Sequence, residues 1–402
     1  MLPATHTTKK SKPGSKKKSI LSFSGFWSGD KTLLIMVFTL LLVGLVVIYS
    51  STVVHSQNVY HDPYRFVALQ FGWILISLIG FFFFYNFDYD HSKKLSYAFM
   101  GISIFFLSIL ALSGILPCSI STPFMPCINE ANRWFIFNPK PLPQIPLIGE
   151  LGFQPSEFAK LALIFFLSVN IPIFVKSRRN PFGFYLISTG LTSALIMLQP
   201  NMSTAVTVFL IGSIIYFCSG ATLKPAVILI PVGLLLAILF IITSPYRRDR
   251  LLTFMQGHKD NVDLSSGYQI KQVSIALGNG GLFGVGFGQS KQKYYLPEVS
   301  SDSIFAIIGE EFGFFGSVIF LSAYMFLLYR GLKIAMDQDD LSRRLLCVGI
   351  TSWLGVQLIV HVSANSSLIP YTGVPIPLVS YGGSSMLFSL MGLGILAGLS
   401  KR

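Results

Sequence analysis

Residues 294–316 read YYLPEVSSDSIFAIIGEEFGFFG and lead into a long apolar run. Only 17 of the 402 residues are Asp or Glu, yet Glu298, Asp302, Glu310 and Glu311 all fall within this stretch. Carboxylates are costly at the edge of an apolar segment, so their retention needs a chemical reason. Composition identifies the solvent around them. Hydrophobic residues make up 52% of the chain and charged residues 12%, with 36 phenylalanines, whereas a soluble domain is about a quarter charged. A helix that crosses a bilayer needs roughly 20 apolar residues. Such runs lie near 32–51, 66–85, 96–116, 157–175, 182–199, 202–219, 224–243, 304–329, 343–364 and 380–399. The expected fold is an all-α polytopic membrane protein of about ten transmembrane helices. The first run is too long for a cleavable signal and lacks a small-residue cleavage site.

Orientation follows from Lys and Arg in short loops, which stay cytoplasmic. The tail carries Lys9, Lys10, Lys12, Lys16, Lys17 and Lys18, and the connections near 86–95, 176–181 and 330–344 carry further Lys and Arg. The chain ends Lys401-Arg402, so both termini are expected on the cytoplasmic side. Connections near 199–201 and 365–379 have no Lys or Arg, as the opposite side should look. Residues 1–31 read as a basic, disordered tail lying near anionic lipid, and 32–400 as one transmembrane domain. The net charge of +13 lends no other support to nucleic-acid binding.

Two larger outer segments, near 117–156 and 244–303, should build whatever meets an external substrate. The first holds Pro117, Pro123, Pro126, Pro139, Pro141, Pro143 and Pro146 and cannot be a long regular helix. Cys118 and Cys127 share this segment, where oxidation could bridge them; Cys218 and Cys347 read as small core residues. The second segment keeps Arg247, Arg248, Arg250, Lys259, Lys271, Lys291 and Lys293 outside, which suggests an anionic ligand. Its glycine-rich GNGGLFGVGFG (278–288) lacks the dinucleotide fingerprint. It reads either as a connector or as a backbone nest holding phosphate oxygens together with Lys291 and Lys293.

Asp302 follows Pro297 at the membrane edge, among Ser300, Ser301 and Ser303. It could cap the helix that follows, or it could be a general base, made more basic by partial burial. Glu310 and Glu311 lie about 12–13 Å further along a helix, too far for an acid pair with Asp302. Being intramembrane acids, at least one of them is expected to line a polar cleft. Glu157 and Lys160, at i and i+3, can neutralise each other. His361 reads as a packing or hydrogen-bonding residue within a span. No HExxH, no Ser-His-Asp arrangement and no P-loop occurs.

Several ordered motifs resemble one family over nearly the whole chain after the tail: VVIYSST (46–52), NRWF (132–135), FQPSEFAK (153–160), QPNMSTA (199–205), residues 268–316 and GVPIPLVSYGGSS (373–385). They resemble the SEDS proteins (shape, elongation, division and sporulation), which include FtsW, RodA and SpoVE. The resemblance implies a SEDS-type ten-helix fold and a peptidoglycan glycosyltransferase. It would polymerise lipid II, the undecaprenyl-diphosphate disaccharide-pentapeptide, outside the bacterial cytoplasmic membrane. The implied partners are a class B penicillin-binding transpeptidase, other divisome membrane proteins and membrane lipid. The family's characteristic aspartate falls on Asp302. Ser300, Ser301 and Ser303 depart from its HTDF spelling, as do Asn201 and Ser203 from QPDLGTA. The spelling of YSST and KYYLPE is closer to FtsW than to RodA, implying division rather than elongation.

On this reading Asp302 takes the proton of an acceptor hydroxyl, while cations stabilise charge on the leaving diphosphate. Arg133, Lys291 and Lys293 are the candidates, ahead of Arg247 and Arg248. A divalent cation, Mg or Mn, could add to them, and no organic cofactor is expected. Glu157, Lys160, Glu310 and Glu311 are the candidates for receiving the lipid's head. Two competing readings are a transporter that flips lipid II without making bonds, and a catalytically idle divisome scaffold.

Overall fold

The structure is a computed structural model and describes residues 29–87, 89, 92–115, 122–128, 131–222 and 265–401, with Val227 and Arg248 as single positions. The basic tail up to residue 28, the run expected at 224–243 apart from Val227, Cys118, Arg247, Arg250 and Lys259 lie outside the described residues.

Helices occupy the other apolar runs. They are α1 (Lys31–Tyr60), α2 (Arg65–Tyr85), α3 (Ser92–Ile115), α4 (Pro155–Lys176), α5 (Phe182–Met197), α6 (Met202–Cys218), α7 (Ser265–Gly280), α8 (Ile304–Met336), α9 (Leu341–Asn365) and α10 (Gly383–Leu399). Six of them, α1 to α4, α8 and α9, are long and apolar enough to cross a membrane, and α5, α6 and α10 are shorter apolar helices. Local chemistry sets several starts. Asp30 Oδ1 accepts the Leu33 amide at 2.9 Å, and Asp340 accepts from the Ser342 and Arg343 amides, each satisfying donors that a helix N-terminus leaves open. Pro155 opens α4, where its missing N–H costs nothing. Large apolar side chains such as Ile79, Phe105 and Ile187 remain more than 60% exposed, as expected where the surroundings are lipid rather than water.

The bundle has two ends. At one, Arg330 pairs with Asp30, the Asp30 amide donates to Ser400 Oγ, and Lys401 Nζ donates to Tyr85 O at 2.8 Å. The opposite end gathers the segments 127–154, 281–303 and 366–382. There Ser384 Oγ donates to Gly152 O and accepts from the Gln154 amide, while Gln70 Oε1 accepts from the Gly382 amide. The first of these segments folds into two short antiparallel ladders, β1 (Cys127–Ile128) with β2 (Ala131–Asn132), and β3 (Phe135–Ile136) with β4 (Gly152–Phe153). Cys127 is disulfide-bonded, whereas Cys218 and Cys347 are free.

α8 is broken at Gly313, whose φ of 67° and ψ of −164° leave the helical region. A continuous helix would carry bonds from the Phe314 and Phe315 amides to the Glu310 and Glu311 carbonyls. Instead the glycine-rich segment replaces both partners. Val285 N and Gly286 N donate to Glu310 O and Glu311 O at 2.9 and 3.0 Å, while Phe314 N and Phe315 N donate to Gly281 O and Leu282 O. Every backbone group freed by the break finds a partner, as burial in an apolar medium demands. The approach is so close that a Cβ on Gly284 would lie 2.1 Å from Glu311 O.

Candidate active site

Asp302 is presented by a tight turn at the mouth of α8. The Asp302 and Ser301 amides both donate to Glu298 O, at 3.0 and 3.2 Å, and Glu298 adopts a left-handed φ of 48°. The helix N-cap is Ser303, one residue further on, so Asp302 does not occupy the capping position. Ser303 Oγ instead shares a 2.8 Å hydrogen bond with the Tyr371 hydroxyl.

The 366–382 segment closes around this turn. Asn365 Nδ2 donates to Asp302 O at 3.0 Å and to His361 O at 3.1 Å. Ser380 Oγ donates to Ser301 O at 2.8 Å and accepts from the Ile376 amide, and the Tyr381 amide donates to Ser300 O. The Asp302 carboxylate rests on Gly373, where a Cβ would come within 2.9 Å of Oδ2. His361 Nδ1 meets Val374 O, the next residue's carbonyl, at 2.7 Å. Burial pushes the Tyr381 hydroxyl up to about 12, helped by Tyr60 and opposed by Arg65, so it is neutral at physiological pH.

Glu310 and Glu311 are both buried, and their contacts are fastenings. Glu310 accepts from Ser290 Oγ and from the Lys291 and Gln292 amides, pinning the 3-10 turn Gln292–Tyr294 to α8. Glu311 Oε1 accepts the Ser50 hydroxyl at 2.5 Å, tying α8 to α1. Lys293 turns inward and donates from Nζ to Ser50 O and Gly288 O at 3.2 and 2.7 Å; at 8% exposure its charge serves the loop. Lys291 remains exposed.

The nest reading of the glycine segment does not hold, because the Gly284, Val285 and Gly286 amides are all engaged by main-chain carbonyls. Glu157 and Lys160 pair at 2.6 Å and are both buried, with Lys160 Nζ 5.3 Å from the centre of the Trp353 ring. Arg133 Nη2 donates to Pro200 O at 2.7 Å, bridging the first outer segment to the α5–α6 connection. Arg248 is exposed. Among the described residues, no three His, Cys, Asp or Glu side chains converge to hold a metal ion, and no step is routed through a divalent metal.

The chain as a whole is similar to known proteins. The FtsW, RodA and SpoVE family, described as "Cell cycle protein", matches residues 31–402. The chain belongs to that family. Stage V sporulation protein E of Bacillus subtilis is 33% identical over 93% of this chain and 97% of its own length. A probable peptidoglycan glycosyltransferase FtsW of Geobacter sp. strain M18 is 32% identical, with the same coverage. Among solved structures, a peptidoglycan synthase complex described as coordinating polymerization and crosslinking contains a chain with TM-score 0.69 at 24% identity, covering 93% of this chain and 98% of that one. The rod shape determining protein RodA of Thermus thermophilus gives 0.62 at 23% identity, covering 93% and 97%. These likenesses establish the fold as that of a multi-pass membrane protein of the SEDS type.

Within this SEDS fold, Asn365, Tyr371, Gly373 and Ser380 surround the Asp302 turn and were missed by sequence reasoning. The GVPIPLVSYGGSS motif (373–385) carried a signal for Gly373 and Ser380 alone, and nothing in one sequence ties it to Asp302, which lies more than sixty positions earlier.

Proposed function

We propose that this protein is a peptidoglycan glycosyltransferase that polymerises lipid II into glycan strands during septal wall synthesis. The observation that carries the reading is the placement of Asp302, held by its main chain at the mouth of an apolar helix and supported on Gly373. Relatives bearing the FtsW glycosyltransferase name, at 29–32% identity, favour a role in division.

The Asp302 carboxylate accepts the proton of the acceptor sugar's 4-hydroxyl as that oxygen attacks the donor's anomeric carbon. The bond from that carbon to the diphosphate breaks, and the diphosphate leaves with the electron pair. Asp302 then passes its proton to water. Of the cations considered, Lys291 and Arg248 both have exposed side chains; Lys291, whose amide is pinned to Glu310 of α8, is the one assigned to the leaving diphosphate. An apolar groove lined by Leu45, Val46, Tyr49, Tyr64, Val67 and Phe287 is a bed for the donor's isoprenoid. The end of the bundle bearing Asp30 and Lys401 also carries Lys93, Lys94, Lys176, Arg343 and Arg344. By the positive-inside rule that end is cytoplasmic, along with both termini, and Asp302 faces outward. A class B penicillin-binding transpeptidase is the partner that would cross-link the strands.

The test is labelled lipid II incubated with purified protein and transpeptidase, comparing wild type with Asp302→Asn. Polymer made by wild type and lost in the variant supports the enzyme. Lipid movement without polymer would support a transporter, and neither activity would support a scaffold.

A further inference from the structure

We infer that His361 and Asn365 are positioning residues that aim the Asp302 carboxylate, acting on it from both sides through the main chain. The inference rests on the reading of Asp302 as the base. Both residues belong to α9, four positions apart and therefore on neighbouring turns of one face. Asn365 carries one of the two ties, giving its amide protons to Asp302 O and to His361 O at 3.0 and 3.1 Å. His361 carries the other, binding Val374 O through Nδ1 at 2.7 Å. Val374 adjoins Gly373, which walls the carboxylate closely enough that a Cβ there would sit 2.9 Å from Oδ2. One helix thus ties both the backbone of the acid and the backbone of its wall, alongside the bonds from Ser380 and Tyr381 to the preceding turn.

The imidazole is not explained by packing. His361 is fully buried, and its Nε2 has no hydrogen-bond partner among the described residues, a cost that an apolar side chain of similar size would avoid. What the ring supplies is an N–H at Nδ1. The bond to a carbonyl makes Nδ1 the protonated nitrogen of the neutral ring. An asparagine side chain can place an N–H in the same position, whereas a leucine cannot.

The experiment measures initial polymerisation rates against lipid II concentration, using the full-length protein with its transpeptidase. It compares wild type, His361→Leu, His361→Asn and Asp302→Asn, each normalised to folded protein by size-exclusion chromatography. Displacing a catalytic group by about 1 Å costs on the order of a hundredfold in rate. The expected result is kcat lowered at least about tenfold in His361→Leu with KM within about twofold, and at least about tenfold faster turnover in His361→Asn than in His361→Leu. Equal rates for the two His361 variants, or a raised KM at unchanged kcat, overturn the inference. Where His361→Leu yields no folded protein, Asn365→Ser decides in its place, since it withdraws the donor from Asp302 O; full turnover in it overturns the inference. An active Asp302→Asn protein removes the reading of the base itself. An inactive one beside a fully active His361→Leu removes only the positioning role.

Discussion

The Lys160 ammonium lies 2.6 Å from Glu157 Oε1, with both side chains at most 3% exposed. The pair is fastened within the first turns of α4, and its second carboxylate oxygen has no hydrogen-bond partner among the described residues. Removing one partner strands a buried charge, a loss of about 3–5 kcal/mol. Lys160→Met is therefore expected to lower the melting temperature in detergent sharply, and the double variant Glu157→Gln with Lys160→Met to recover most of it. A double variant no more stable than the single one would contradict an ion pair of this kind.

Gly373→Ala forces a methyl against Asp302 Oδ2. The carboxylate must move, because the backbone on either side is tied down by Asn365 and His361. Polymerisation is expected to fall about ten- to a hundredfold with little change in thermal stability. Wild-type rates from the alanine variant would show that the carboxylate position is not critical.

Ser50→Ala removes the hydroxyl that Glu311 Oε1 accepts and leaves a buried acceptor unmet, at about 1–3 kcal/mol. Thermal melts should record the loss. An unchanged melting temperature would mean that Glu311 finds another donor.

The Tyr381 hydroxyl is held at about 12 by burial, above its ordinary 10. The folded protein therefore keeps this proton while an unfolded chain releases it. Stability from this group is complete below pH ~10 and lost as the pH rises toward 12, at most about 2–3 kcal/mol. Tyr381→Phe is expected to lose less stability than wild type between about pH 9 and pH 11. Equal alkaline losses would argue against a buried hydroxyl.

Most of the bundle was legible in the sequence because hydropathy alone marks a membrane span. Nine of the runs expected there are helices whose starts fall within about four residues of those expected, while the first continues to Tyr60 and the eighth to Met336. The break in α8 was not legible, since glycine is common in transmembrane helices and residues 304–329 carry no charged residue apart from the two glutamates. Lys293 misled for a different reason. Its charge beside Lys291 suggested an anionic ligand, but its acceptors are two main-chain carbonyls, of nearby Gly288 and of Ser50, 243 positions away. Likewise the neutralisation of Glu157 by Lys160 could be read from local spacing, whereas the clamp on Asp302 depends on Asn365 and Ser380, which only the fold brings near. His361 was expected to pack or to hydrogen-bond, and the bond it makes is to Val374 O.

The break at Gly313 is sealed by four main-chain bonds to residues 281–286, none of which depends on a side chain. Substitutions at Leu282, Phe283 or Val285 can therefore drift without altering the seal. Loop length cannot, because inserting one residue between Gly281 and Gly286 would slide the donors out of step with the carbonyls of Glu310 and Glu311. Evolution in this segment is free to change those three letters, but neither Gly284, which leaves no room for a Cβ, nor the number of residues.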